Sequence, residues 1–124
     1  MKMVWETQKI LGDESIRVNA TAVRVPVFYG HGEAIHIETR TPIDAQDAKN
    51  LLAQAPGIVL KADPADFPTQ VGDASGNDDV FVGRVRNDIS HPNGLNMWVV
   101  SDNVRKGAAT NSIQIAEVLI RDYM

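Results

Sequence analysis

The chain has 124 residues, of which 44% are hydrophobic and 23% charged, with three histidines, no cysteine and a formal net charge of −4. This composition predicts one folded globular domain and, because the chain is acidic, argues against nucleic-acid binding. No apolar run is long enough to span a bilayer, no signal-peptide pattern opens the chain, and the absence of cysteine excludes disulfides and thiolate metal sites, so we expect a cytoplasmic protein without a structural metal.

The first predicted element is a helix over residues 2–11, which Gly12-Asp13 would end. No capping residue precedes Lys2, so we expect the natural chain to continue upstream. A long strand is predicted next, over Ile16–Val27. The period of two places Arg24 on the apolar face of that strand, where a guanidinium would need a carboxylate or phosphate partner.

Residues 34–40 alternate apolar and polar side chains and predict a half-buried strand. A helix is predicted to start with Thr41 as N-cap and Pro42 as the first residue, and to end at Pro56-Gly57. The remaining predictions are a short strand over 58–60, a long loop over 63–79, strands over 80–86 and 95–100, and a last helix over 103–122.

This order of elements predicts an α+β fold, an antiparallel or mixed sheet covered by helices. One face of the sheet carries more apolar side chains than two or three short helices can cover, which predicts a C2 homodimer that buries this face. The residues of that face are Val80, Val82, Val85, Leu95, Met97 and Val99.

The segment Gly30-His31-Gly32 is the strongest candidate for chemistry. Glycines allow a ligand to approach the backbone closely, and a histidine side chain can transfer protons near neutral pH. A lone histidine in a loop is more often an exposed residue than a catalyst, and an arginine at a strand end has about even odds of pairing with a structural carboxylate. From the residues alone both alternatives stay open.

Five motifs, in this order, resemble the bacterial aspartate-semialdehyde dehydrogenases. They are M-K-M-V-W-E-T-Q-K-I-L (1–11), T-A-V-R-V-P-V-F-Y-G-H (21–31), F-V-G-R-V-R-N-D (81–88), N-M-W-V-V-S-D-N-V-R-K-G-A-A (96–109) and I-Q-I-A-E (113–117). They span nearly the whole chain, so the resemblance is specific. One departure is Ala22, where that family usually has a cysteine that is not its nucleophile.

The resemblance implies that residues 1–124 are a substrate-binding and dimerisation domain like the C-terminal domain of the glyceraldehyde-3-phosphate dehydrogenase-like group. Aspartate-semialdehyde dehydrogenases reduce L-4-aspartyl phosphate to L-aspartate 4-semialdehyde with NADPH and release phosphate, on the path to diaminopimelate, lysine, threonine and methionine. The chain lacks their Gly-rich phosphate loop and their Asn-Cys nucleophile motif. We therefore expect an NADP-binding domain to precede it, and the fragment alone to be inactive.

Site roles follow from the resemblance, residue by residue. Arg24 would grip the substrate carboxylate, His31 would act as the acid/base catalyst, and Glu6 would hold the substrate ammonium group. Lys2 would bind phosphate, and Asn103 would approach the nicotinamide cofactor NADP. Simpler roles compete with these: Glu6 and Lys2 could be solvated surface charges, and Asn103 could be only a helix N-cap.

Two other functions compete with the enzyme interpretation. One is a stand-alone regulatory module that binds amino acids, and the other is the dimerisation domain of a catalytically silent paralogue. The presence of both Arg24 and His31 weighs against the silent paralogue. A regulatory module would be expected to cap its first helix, which this sequence does not do.

Overall fold

The computed structural model describes residues 1–124 as three α-helices, four strands and two π-helical turns. The first π turn lies within the predicted loop 63–79, and the second leads into the last helix. In chain order the elements are α1 (Lys2–Leu11), β1 (His31–Glu38), α2 (Ala45–Gln54), β2 (Ile58–Lys61), the first π turn (Gln70–Ala74), β3 (Val80–Asn87), β4 (Gly94–Ser101), the second π turn (Arg105–Ala109) and α3 (Thr110–Tyr123).

The four strands form one mixed sheet in the order β1-β4-β3-β2. Strand β2 runs parallel to β3, while β4 pairs antiparallel with β1 and β3. This arrangement confirms the predicted α+β class with a mixed sheet. It also makes β1 an edge strand, whose first residue, His31, is held by the sheet from one side only.

Helix α2 covers the sheet over β2 and β3. Ala48 of the helix packs with Val82, Val85 and Leu95, which are only 2%, 5% and 1% exposed. These three residues belong to the apolar face that the sequence analysis expected to remain uncovered. That expectation is wrong for the centre of the sheet, because α2 lies across it; Val80, Met97 and Val99 pack at the edge of the same cluster.

Helices α1 and α3 do not cover the sheet, contrary to the sequence analysis. Neither makes extensive contact with a strand, and α3 packs chiefly on the second π turn. Apolar side chains on both remain exposed, for example Trp5 at 62% and Ile120 at 63%. Helix α3 carries apolar side chains at Ile113, Leu119 and Ile120, which stay 61%, 52% and 63% exposed.

The predicted strand over Ile16–Val27 is absent. The chain runs from Asp13 to Gly30 without forming a ladder, and most of its side chains are exposed. A strand needs a partner edge, and no strand lies beside this segment. Pro26 adds a local interruption, because it has no N–H to donate and Val27 N–H bonds instead to Val25 O at 2.9 Å.

The predicted bounds are confirmed for α1, whereas α2 and α3 begin later than predicted, α3 at Thr110 instead of residue 103. Helix α1 begins and ends where predicted, and Gly12 closes it in the left-handed conformation with φ 66°. Helix α2 starts later than predicted, because Asp44 rather than Thr41 caps it: Asp44 Oδ1 accepts hydrogen bonds from Gln46 N–H at 2.7 Å and Asp47 N–H at 2.8 Å. None of the helices combines the length and apolar character that a membrane span requires.

Candidate functional site

The Gly30-His31 segment is joined to the end of β4 by two interactions. His31 pairs with Ser101 as the last rung of the β1–β4 ladder. One residue earlier, Gly30 N–H donates to Asn103 Oδ1 at 2.9 Å, across a separation of 73 residues in sequence. The fold therefore brings together His31 and Asn103, two of the five residues singled out in the sequence.

The backbone around His31 leaves no room for side chains at the two glycines. A Cβ on Gly30 would lie 3.2 Å from Gln70 Cβ, and Gly30 has φ +89°, which disfavours other residues. A Cβ on Gly32 would lie 2.7 Å from the Trp98 ring. Trp98 is itself fixed, because its Nε1–H donates to Pro68 O at 2.8 Å. Gln70 and Trp98 thus pack directly against the strand on both sides of His31.

Asp102 organises the turn that carries Asn103. Its side chain is buried, with the residue 4% exposed. Its carboxylate accepts hydrogen bonds from Gly76 N–H at 2.9 Å, Val104 N–H at 2.9 Å and Arg105 N–H at 3.1 Å. These bonds, led by that from Gly76, hold the pKa of Asp102 below its ordinary value. The capping role considered for Asn103 is therefore filled by Asp102, and the amide of Asn103 is directed to Gly30 instead.

Arg24 lies in the exposed segment before Gly30, not on a buried strand face. The expectation that its guanidinium points among apolar residues is wrong, since the strand that would place it there does not form. Neither the Arg24 guanidinium nor the His31 imidazole has a hydrogen-bond or ion-pair partner within the chain. Both side chains thus keep all their polar atoms available to a ligand.

Lys2 and Glu6 lie one turn apart on α1, with Lys2 Nζ 3.6 Å from Glu6 Oε1. Both side chains are largely exposed, at 82% and 56%. An exposed pair of this kind contributes little to stability, so both charges remain free to change partners. Because α1 has no extensive contact with the sheet, this pair is not packed against the elements that carry His31.

Two surface clefts lie near these segments, and neither is lined by His31 or Arg24. One, of about 510 Å³, is lined by Trp5, Gln8, Lys9, Gly12 and Glu14. The other, of about 370 Å³, is lined by Phe67, Pro68, Thr69, Gln70, Arg84 and Trp98. Gln70 and Trp98, which touch the glycines beside His31, belong to the second cleft on the side away from α2.

Sequence reasoning missed Asp102, Gln70 and Trp98. Asp102 carries a local signal, since an aspartate two residues ahead of N–H groups at a helix start is a common acceptor for them. Gln70 and Trp98 carry none, because the contact of Gln70 with Gly32 depends on how the first π turn folds over the sheet and that of Trp98 on the register between β1 and β4.

Known proteins resemble this chain over nearly its whole length. Residues 1–106 match the family described as semialdehyde dehydrogenase, dimerisation domain. The chain is 69% identical over 123 residues to aspartate-semialdehyde dehydrogenase 2 of Vibrio cholerae and 67% identical to the aspartate-semialdehyde dehydrogenase of Shewanella violacea, covering 99% of this chain and 36% of each relative. The chain thus spans about a third of the length of these relatives.

Solved structures of aspartate-semialdehyde dehydrogenases also resemble this chain. The crystal structure of aspartate semialdehyde dehydrogenase II from Vibrio cholerae complexed with ASA superposes with a TM-score of 0.95 at 68% identity, covering 100% of this chain and 37% of that one. The enzyme from Francisella tularensis, at 22% identity, has a TM-score of 0.84 over 96% of this chain and 34% of its own, which shows a shared fold. These matches do not favour a stand-alone regulatory module.

Proposed function

The chain belongs to the semialdehyde dehydrogenase dimerisation-domain family, and we propose that it forms the substrate-binding and dimerisation part of an NADP-dependent aspartate-semialdehyde dehydrogenase. The single observation that carries this proposal is the match to the Vibrio cholerae enzyme complexed with ASA, at 68% identity over the whole chain. The proposed reaction is the reduction of L-4-aspartyl phosphate to L-aspartate 4-semialdehyde, on the path to diaminopimelate, lysine, threonine and methionine.

In this proposal Arg24 binds the substrate carboxylate. Its exposed guanidinium has no partner in the chain, and its fork of donors matches the two oxygens of a carboxylate. Lysine would keep the charge but lose the bidentate geometry.

His31 transfers the proton in the proposed reaction. Its imidazole is exposed at the end of an edge strand, with both ring nitrogens unpartnered. A histidine suits a step in which a thiol of another domain must be deprotonated and the leaving group later protonated. The chain itself contains no cysteine, so it supplies the acid/base group and not the nucleophile.

The charged pair on α1 supplies the remaining proposed contacts. Glu6 would bind the substrate ammonium group and Lys2 the phosphate. Their mutual distance of 3.6 Å and their exposure support this, because a weak ion pair exchanges its partner for a ligand at little cost.

The cofactor contact proposed for this chain is Asn103. Its Oδ1 is occupied by Gly30 N–H, while its Nδ2 donates to no group of the chain and fits an amide or phosphate oxygen of a nucleotide. When bound, NADPH supplies the hydride for the reduction. The chain contributes an oriented amide donor and leaves most of the nucleotide to another domain.

The proposed partners are a second copy of the chain in a homodimer and small molecules: aspartyl phosphate or aspartate semialdehyde, and phosphate. Nucleic acid and membranes are not among them, and the proposed compartment is the cytoplasm. The family description as a dimerisation domain supports association. Exposed apolar side chains on α1 and α3 give it a physical basis.

A chimaeric enzyme tests the assignment of Arg24. In this exchange enzyme, the matching 123 residues of the Vibrio cholerae relative are replaced by the present chain. Arg24→Lys should lower kcat/KM for aspartate semialdehyde about 30-fold, which corresponds to about 2 kcal/mol of lost transition-state binding. Arg17→Lys, a matched exposed arginine, should stay within about twofold of the parent. An Arg24→Lys enzyme with an unchanged kcat/KM would remove the carboxylate role.

A further inference from the structure

We propose that Asn103 is a positioning residue for His31. Its side-chain oxygen accepts the hydrogen bond of the Gly30 N–H and thereby fixes the position of the His31 backbone, from which the imidazole extends. This inference rests on the proposed acid/base function of His31. It assigns Asn103 a second task, separate from the cofactor contact proposed above, because the two tasks use opposite ends of one amide group.

The position of His31 in the sheet creates the need for such support. His31 is the first residue of β1, an edge strand, so β4 alone holds it and only from one side. Strand ends without further support fray, and the preceding segment from Asp13 to Gly30 has no ladder that could prevent this. The bond from Gly30 N–H to Asn103 Oδ1, at 2.9 Å, extends the β1–β4 pairing by one interaction beyond its last rung.

Asn103 is well suited to hold this backbone because it is itself held. It follows Asp102, whose buried carboxylate accepts three backbone N–H groups, one of them from Gly76 in a separate segment. The acceptor oxygen is therefore presented from a turn that is anchored at several points. On the strand side, Gln70 and Trp98 pack against Gly30 and Gly32 and limit the alternatives open to the backbone.

The two ends of the amide separate the positioning role from ligand binding. Oδ1 accepts from Gly30, whereas Nδ2 has no partner in the chain. Asn103→Asp keeps an acceptor oxygen and removes the donor; Asn103→Leu removes both at similar volume. A positioning role predicts different results for the two variants, whereas a role limited to donating to the cofactor predicts equal results.

Kinetics of the exchange enzyme provide the first readout. Asn103→Leu should lower kcat about 10- to 100-fold, because small displacements of a catalytic group are costly. Asn103→Asp should recover most of this loss in kcat while raising the KM for NADP. The same pair of changes at Asn111, an exposed position on α3, is the matched control and should change neither parameter. Equal losses of kcat in Asn103→Leu and Asn103→Asp would overturn the proposal.

Amide hydrogen exchange in the 124-residue chain tests the same bond without any activity. Gly30 N–H should exchange more slowly than Tyr29 N–H, which bonds to no group of the chain. Protection of Gly30 should be lost in Asn103→Leu and retained in Asn103→Asp, and the NMR signals of the His31 ring should broaden or shift only in the former. An unprotected Gly30 in the unaltered chain, or a His31 ring unaffected by the loss of protection, would overturn the proposal. An exchange enzyme that is inactive before any substitution would instead contradict the proposed function. The hydrogen-exchange result would still test the positioning role, because it needs no activity.

Discussion

At the residue scale, Asp78 shows how the segment after Asn103 is secured. Its carboxylate accepts from Arg105 Nε at 2.7 Å and Nη2 at 2.9 Å, and from Thr110 Oγ1 at 2.7 Å. The bonds from Arg105, followed by the bond from Thr110, lower the pKa of Asp78 from its ordinary value of 3.8 to about 2. Asp78 thus ties both the second π turn and the first residue of α3 to the connection before β3.

This lowered pKa predicts an acid-dependent loss of stability. The folded-state pKa lies below the unfolded value, so the contribution of Asp78 is fully present above about pH 4 and is lost as the pH falls through about 2. Asp78→Asn should therefore reduce the fall in the free energy of unfolding across this window, measured by urea unfolding at several pH values. Part of the fall in the free energy of unfolding at low pH should remain in this variant, because the pKa of Asp88 is also about 2.

The control for this measurement is Asp79→Asn, since Asp79 accepts no hydrogen bond and forms no ion pair. It should leave the pH profile of unfolding unchanged. An Asp78→Asn profile that follows the parent chain throughout this window would contradict the stabilising role of Asp78.

The sequence could reveal the site residues that are marked by their own type and near neighbours, but not those placed by contacts between distant segments. Arg24, His31 and Asn103 stand out because their residue types and neighbours suggest chemistry, and the fold brings the last two together. The environment of Arg24 could not be predicted, because its burial depended on a strand partner that is not there. Gln70 could not be found either, since its contact with Gly30 and Gly32 arises only through tertiary packing.

At the element scale, local sequence patterns predict where most strands and helices lie along the chain. Which other elements they pack against depends on contacts between distant segments. The strands predicted over 34–40, 58–60, 80–86 and 95–100 all form close to those positions, the first of them from alternating apolar and polar side chains. The segment 16–27 has the same kind of alternation without a neighbouring edge, and it stays outside the sheet. Helix α3 likewise carries several apolar side chains, although it makes no extensive contact with any strand.

The start of α2 provides a test at this scale. Asp44 caps the helix through the backbone N–H groups of Gln46 and Asp47, while the Thr41 side chain makes no such bond. Asp44→Ala should lower the free energy of unfolding by about 1 kcal/mol, because two N–H groups lose their acceptor. Thr41→Ala should change it by less than about 0.5 kcal/mol. A larger effect of Thr41→Ala than of Asp44→Ala in urea unfolding would show that the helix begins earlier.

At the scale of the whole molecule, exposed apolar side chains dominate the helices that do not cover the sheet. Ile113 and Leu119 on α3 are 61% and 52% exposed, and Trp5 on α1 is 62% exposed. Soluble monomers seldom leave so many large apolar groups in water, so we expect the chain to associate. Because α2 already covers the centre of the sheet, the remaining apolar surface lies on α1, on α3 and on connecting segments, where Phe28 and Ile89 are fully exposed.

Sedimentation equilibrium at micromolar concentration checks this expectation. The chain should sediment as a species of twice its 13.6 kDa mass or larger, and dilution should shift it toward the monomer. A single 13.6 kDa species at every concentration would mean that the exposed apolar side chains do not by themselves bring two copies together.

The activity of the exchange enzyme tests most directly whether this chain is a working part of an aspartate-semialdehyde dehydrogenase. The measurement is the reduction of NADP⁺ to NADPH by aspartate semialdehyde in the presence of phosphate, with the native Vibrio cholerae enzyme as the reference and the 124-residue chain alone as the blank. We predict that the exchange enzyme has a kcat/KM within about tenfold of the reference, and that the chain alone gives no NADPH because it has no cysteine nucleophile. An exchange enzyme that folds and binds NADP but forms no NADPH would contradict the proposed function.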